Sequence, residues 1–344
     1  MKQLLNTLYV VTQGAYVHLD HETLRIEVEG TTQLQVPLHH LGGVVCFGNV
    51  MMSPALIHRC AEDGCSIVLL DRHGRFRARV EGPVSGNVLL RRAQHLAHAD
   101  ATKSALIARN VVAGKIRNAR QVVLRGARET KVSADVALLD VCAETMRRSL
   151  ASLETRTDLD QIRGQEGEAA RAYFGVLGCM VREDRATFRL DKRSRRPPLD
   201  PLNALLSFLY TLLLGDCVAA VEGVGLDPQI GFLHALRPGR PALALDLMEE
   251  LRAVMADRLA LTLINRRQVA RKDFQVRPGG AVHLTDAGRK EVLVAYQKRK
   301  QDEVQHPVLE QQVPLGLIPH VQTRLLARYL RGDLKEYIPF LYRY

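Results

Sequence analysis

No CxxC pair and no zinc-like spacing links the six cysteines, Cys46, Cys60, Cys65, Cys142, Cys179 and Cys217. Reduced, mostly buried thiols are therefore expected in place of a disulfide scaffold or a cysteine zinc site, which points to the cytoplasm. Met1 is followed by Lys2 and a mixed stretch, with no apolar core ahead of a small-residue cleavage site, and no uncharged apolar run reaches membrane-spanning length. Secretion and membrane insertion are therefore not expected. There is no GxxxxGK[ST] loop to cradle a triphosphate, so ATP dependence is not expected either. Internal repeats and low-complexity tracts are also missing.

Acidic residues are in deficit: 48 Lys and Arg stand against 37 Asp and Glu in 344 residues, a net charge of +11. A polyanionic partner is favoured. Residues 1–82 carry seven basic and eight acidic side chains, so the whole excess lies in the remainder. Ten Lys or Arg between Arg91 and Lys131, Arg117 and Arg120 among them, face only Asp100 and Glu129, and a second cluster runs Arg189, Lys192, Arg193, Arg195, Arg196. A single basic helix face is as often simply solvated, but two clusters in one part of the chain point to nucleic acid.

Nearly half of the residues are hydrophobic, enough for a folded chain of two domains. Up to residue 82 short β-like runs alternate with turns, at 4–11, 15–19, 23–28, 33–36, 44–47, 66–70 and 75–80. Ser53 and Pro54 announce one helix, to about Asp63. Residues 83–86 read as a linker. From 87 to 344 apolar residues recur at helical spacing, in segments near 87–112, 115–128, 134–152, 158–180, 200–221, 241–264 and 284–301. The expected fold class is α+β: a small β-rich domain followed by an all-helical one that meets the polyanion.

Three local patterns carry candidate chemistry. In Gly164-Gln165-Glu166-Gly167-Glu168-Ala169-Ala170 a carboxylate sits among small residues, with Glu166, Ala170 and Tyr173 on one helix face. Gly231-Phe232-Leu233-His234 opens a Gly- and Pro-rich connector, where rigid scaffolds often position functional groups. Acids Asp246, Glu249 and Glu250 interrupt an apolar helix; Asp246 and Glu249, one turn apart near the core boundary, need a partner, for which Arg240 and Arg252 are available, while Glu250 points further round. Taken singly, each has a bland reading: a solvated glutamate, an incidental loop histidine, an ion pair. Together, two carboxylates and an imidazole suit a divalent ion with positions open for water and phosphate, Mg2+ or Mn2+ before structural zinc.

The Glu-Gly-x-Ala-Ala-x-x-Tyr-Phe run from Glu166, the Gly-Phe-Leu-His connector and Leu245-Asp246-Leu247-Met248-Glu249-Glu250 resemble, in order, the signature motifs of the Cas-one (Cas1) family of CRISPR adaptation integrases. Arg195-Arg196-Pro197-Pro198 through Asn203-Ala204-Leu205-Leu206 adds to the likeness, which spans essentially the whole chain and is closest to the type I-C branch. The resemblance implies a β-sandwich-like amino-terminal domain that dimerises and a helical catalytic domain whose metal is held by Glu166, His234 and Glu249. It also implies a homodimer working on double-stranded DNA with the small second CRISPR-associated adaptation protein, joining a 3′-hydroxyl to a phosphodiester. Glu168, Asp246 and Glu250 are acidic neighbours of the implied ligands. Tyr173, Asn203, Arg240, Asp246 and Arg252 are expected to support the ligands or phosphates, and Arg117, Arg120, Arg193, Arg195 and Arg196 to bind DNA. The alternatives are a non-catalytic DNA-binding scaffold, in which the acids only pair with arginines, and a metal-dependent hydrolase of a small phosphorylated substrate.

Overall fold

The structure is a computed structural model that describes residues 7–72, 76–80, 82 and 88–342. The linker expected at 83–86 and the first residues of the strand expected at 4–11 lie outside them. The chain divides into two compact units, residues 1–86 and 87–344.

In the first unit, β1 (Thr7–Val10), β2 (Ala15–Asp20), β3 (Thr23–Val28), β4 (Thr31–Pro37), β5 (Gly43–Phe47), β6 (Val50–Met52), β7 (Ser66–Leu70) and β8 (Phe76–Val80) form two four-stranded sheets, ordered β4-β3-β2-β6 and β1-β5-β7-β8. Strands β2, β3 and β4 pair antiparallel, while β1, β5 and β7 run parallel. The inward residues Val17, Leu24, Ile26, Val44, Cys46 and Ile67 meet in one core that also takes Leu56 and Cys60 of α1 (Pro54–Asp63). That helix starts where the sequence says it should: Ser53 Oγ accepts from Leu56 N at 3.2 Å, and Gly64 closes it in the left-handed region at φ 70°. The three-residue β6 gives too short an alternation to be legible in advance.

The second unit is built on α2 (Val88–Ala99), α3 (Ala101–Glu129), α4 (Ser133–Leu153), α5 (Leu159–Val176), α6 (Pro201–Val224), α7 (Ala242–Leu251), α8 (Arg258–Asn265), α9 (Asp286–Gln301) and α10 (Ile318–Leu330). Two two-stranded hairpins accompany the helices, β9 (Phe274–Val276) with β10 (Val282–Leu284) and β11 (Glu303–His306) with β12 (Gln311–Pro314). These strands of three or four residues, and α10, are the elements that helical periodicity did not reveal.

The helix break expected near 113 falls instead at Asp100, whose carboxylate accepts from Thr102 N and Lys103 N and caps α3. Gly114 is not a breaker. A Cβ there would come within 2.8 Å of Pro339 and 3.3 Å of Glu250, so the glycine lets the carboxy-terminal segment lie against α3. Helix α6 is long and apolar enough by length and composition to cross a membrane, but Asp216 interrupts its apolar run, and 56% of its most apolar stretch is buried, as in a core helix. Five of the six cysteines are buried and all six are free.

The carboxy-terminal segment is fastened by polar groups. Buried Asn118 donates to Glu250 O at 2.7 Å and Phe340 O at 2.8 Å, and accepts from Tyr342 N. The Glu250 carboxyl meets Tyr337 Oη at 2.5 Å, Phe340 N at 2.7 Å and Gln322 Nε2 at 3.1 Å. Complete burial pushes this carboxyl up to about 8, against the pull of those three donors. Its ordinary value is 4.5, so between these limits the unfolded chain has given up a proton that the folded chain keeps. Each rise in pH across the interval then favours unfolding, and the loss is complete above about 8. Urea denaturation of wild type and Glu250→Gln should show wild type losing stability relative to the variant as pH rises from 5 to 8. A difference that stays constant with pH would contradict this.

Candidate active site

The connector between α6 and α7 is held from both sides. Gln94 of α2 donates to Asp227 O and Ile230 O, both at 2.8 Å, and His98 Nδ1 lies 2.7 Å from Gly231 O. From α5, Arg163 Nε donates to Leu233 O at 2.8 Å. On the other side, the Asp246 carboxylate, 1% exposed, accepts from Phe232 N at 2.6 Å and from Leu233 N and His234 N at 3.0 Å. Gly231 is required for this packing, since a Cβ would fall 2.7 Å from both the Ala242 carbonyl carbon and Asp246 Oδ2.

Asp246 also fixes the imidazole. His234 Nδ1 lies 2.7 Å from Asp246 Oδ1, and a carboxylate facing backbone donors can only accept, so Nδ1 carries the proton. The Nε2 lone pair is left toward Glu249, whose Oε1 is 3.9 Å away. A carboxylate behind a histidine is the usual means of orienting a metal-ligating ring.

Glu249 is buried one turn along α7 from Asp246, and its surroundings are cationic. Arg252 Nη1 donates to Oε1 at 2.7 Å, and the Lys115 ammonium of α3 lies 2.6 Å from Oε2, an ion pair without hydrogen-bond alignment. The same ammonium is in close contact with Glu166 Oε1 on α5. Burial alone would push the Glu249 carboxyl up, yet the Arg252 guanidinium and the Lys115 ammonium outweigh it and hold it well below the ordinary carboxylate range. Glu249 is thus an anion in the fold, whereas its neighbour Glu250 faces the carboxy-terminal segment and not the site. Glu168 is exposed on α5.

After Leu251 the helix widens into a π-helical stretch, Arg252–Asp257, before α8 resumes. Such stretches are frequent at functional sites. Here it lets Asp257 accept from both Tyr173 Oη at 2.9 Å and Tyr210 Oη at 2.5 Å, while the Arg252 guanidinium stacks over the Tyr210 ring at 4.4 Å. Arg252 is therefore buried in internal contacts and offers nothing to a phosphate in solvent, and Tyr173 supports the site through Asp257.

Asn203 is not at this centre. It staples the basic loop before α6, accepting from Ser194 N at 3.1 Å and donating to Lys192 O at 2.9 Å. Of the expected DNA-binding arginines, Arg193 is held by Asn203 Oδ1 and Ser194 O, and Arg120 donates to Ala143 O; Arg117, Arg195 and Arg196 are exposed. Glu166, His234, Glu249 and Arg240 line one cleft of about 370 Å³ with Arg163 and Leu233. Sequence reasoning counted Lys115 only as part of a basic cluster and gave Arg163 no role. Nothing local in the sequence singled out Lys115, because the carboxylates it meets come from α5 and α7.

Among the described residues no three His, Cys, Asp or Glu side chains crowd closely enough to enclose a metal by themselves. At this centre a lysine ammonium stands between the two carboxylates, which shows that one oxygen of each can reach a single cation. With the Nε2 lone pair beside Glu249, the donor set of two carboxylates and an imidazole fits a divalent ion.

The class defined by the fold and the site is a two-unit α+β protein whose helical unit holds a cation between a buried and a half-buried acid, beside a cleft walled by arginines. The family model for CRISPR-associated protein Cas1 matches residues 8–298, and the chain belongs to that family. It is 63% identical to CRISPR-associated endonuclease Cas1 1 of Moorella thermoacetica and 54% identical to CRISPR-associated endonuclease Cas1 2 of Rhodospirillum rubrum, in each case over 100% of both chains. Among solved structures, the fold is similar to a Cas1 protein from Thermotoga maritima (TM-score 0.82, 23% identity, 96% of this chain and 99% of that one). It is also similar to a casposase bound to its integration product (TM-score 0.83, 22% identity, 98% and 94%).

Removing the Asp246 carboxylate should release the connector. Asp246→Ala leaves the buried Phe232 and Leu233 N–H groups and the half-buried His234 N–H without an acceptor, and at roughly 1–3 kcal/mol for each buried group the loss should be at least about 2 kcal/mol. Denaturant titration reads it, and a change under 1 kcal/mol would contradict the anchoring role.

Proposed function

We propose that this chain is a CRISPR adaptation integrase: a DNA endonuclease and strand transferase that inserts new spacers into a CRISPR array. The single observation that carries the reading is the convergence of Glu166 and Glu249 on one cation beside the Nε2 of His234, at the edge of an arginine-walled cleft. The names of its relatives, endonucleases of the same family at up to 63% identity over the full chain, point the same way.

Mg2+ or Mn2+, held by Glu166, His234 and Glu249, would supply Lewis-acid stabilisation of the charge that builds on the reacting phosphate. The remaining work falls to the chain. Asp246 keeps the imidazole in the tautomer that presents Nε2, so His234 acts as a ligand and not as a general base. Arg163 and Arg240 on the cleft wall offer positive charge to the DNA backbone, and exposed Arg117, Arg195 and Arg196 extend it. In the transfer, a 3′-hydroxyl oxygen of the incoming fragment forms a bond to phosphorus as the bond to the departing 3′-oxygen breaks. The hydroxyl proton passes to solvent and the departing oxygen takes one up. Water in place of the hydroxyl gives hydrolysis.

The same reading includes a homodimer in the cytoplasm, no membrane association, the type I-C branch, and a complex with the small second adaptation protein. Support for the partner comes from solved relatives that include a Cas6-RT-Cas1–Cas2 complex.

Strand transfer of a short 3′-hydroxyl duplex into a supercoiled repeat-bearing plasmid, with the small partner and Mg2+ or Mn2+ present, tests the proposal. Glu166→Ala, His234→Ala and Glu249→Ala should each lose at least about 100-fold of product while retaining DNA binding. Full activity in any one of them removes that residue from the site, and an inactive wild type that still binds DNA favours the scaffold reading.

A further inference from the structure

Lys115 projects from the middle of α3 into the acidic centre, its side chain 15% exposed, and its stem shares a pocket wall with Ile116, Ala119, Ala169 and Ala170. Its ammonium touches Glu166 and lies 2.6 Å from Glu249, the two carboxylates assigned above to the metal. A divalent ion bound to one oxygen of each would sit about 2.1 Å from both. That position nearly coincides with the ammonium, and two cations so close in a partly buried site repel far beyond thermal energy. Ammonium and metal are therefore mutually exclusive.

We infer that Lys115 is a resident counter-ion of this centre, holding Glu166 and Glu249 together until a divalent cation displaces it, so that metal loading is an exchange of one cation for another. The inference rests on the metal reading proposed above. Glu249 explains why such a device is useful: its side chain is buried, 4% exposed, and a buried carboxylate without a neutralising partner is strongly destabilising. Arg252 meets one of its oxygens, and Lys115 meets the other. The lysine is suited to leave, since its four-carbon stem can swing the ammonium toward solvent without moving α3. Arg252 is not, being stacked on Tyr210.

Two measurements on the full chain decide the matter. In calorimetric titration of metal-free protein with Mn2+, without DNA, Lys115→Met should bind about tenfold more tightly than wild type, because no ammonium has to be expelled, and its metal-free form should melt at a lower temperature. Lys115→Arg, which keeps the charge, should not gain affinity. Equal or weaker Mn2+ binding by Lys115→Met overturns the inference while leaving the metal reading intact. Wild-type binding that is absent, or indifferent to Glu166→Ala and Glu249→Ala, overturns both. Should Lys115→Met not fold, lysine acetylation of the wild type followed by mass spectrometry decides: Mg2+ should raise labelling of Lys115 severalfold relative to other lysines. Unchanged or reduced labelling contradicts the exchange.

Discussion

Four hydrogen bonds converge on the buried carboxylate of Asp246, three from consecutive backbone N–H groups of the Phe232–Leu233–His234 turn and one from the imidazole of His234. The turn has no regular secondary structure to satisfy its own donors, so without this acceptor it would have to open to water. Because the acceptor sits on α7, the histidine is indexed to the helix that carries Glu249. Gly231 allows the close approach, and α2 and α5 take the connector's carbonyls from the other side. The position of the imidazole relative to the acids follows from that one anchoring.

Two adjacent glutamates on α7 then take opposite parts. Glu249 looks into a cluster of cations and is held ionised; Glu250 looks away, into a buried network with Tyr337, Gln322 and Phe340, and is pushed toward the neutral form. The first lies at the proposed metal centre, and the second ties the carboxy-terminal segment to the helix beneath it. The π-helical stretch that follows moves Arg252 and Asp257 into register with Tyr210, and gives Glu249 a second, fixed partner.

Much of this was legible in the sequence. The β-rich beginning, the helical remainder, the Ser53 cap and the three motifs all rest on local signals: alternation, helical spacing, and turn residues at fixed offsets. The implied ligands Glu166, His234 and Glu249 do come to one cleft. Asp246 was visible as a buried acid in need of a partner, but its partners are backbone donors twelve to fourteen residues away, and backbone donors leave no trace in composition. Lys115 was hidden for a similar reason: on α3 it is one base among ten, and only the packing of α3 against α5 and α7 singles it out. Asn203 was misleading because a buried polar residue near a basic loop reads the same whether it serves a ligand or, as here, the loop itself. The hairpins at β9–β10 and β11–β12 are too short for alternation to rise above the surrounding helical pattern.

The claim on which the rest depends is that a centre indexed by Asp246 collects Glu166, His234 and Glu249 around one divalent ion. Diffraction from crystals soaked in Mn2+, recorded at a wavelength where manganese scatters anomalously, tests it most directly. The account requires an anomalous peak within about 2.3 Å of a Glu166 oxygen, a Glu249 oxygen and His234 Nε2, with the Lys115 ammonium moved out of the centre. No peak there, or a peak elsewhere with Lys115 still bridging the two carboxylates, would contradict it.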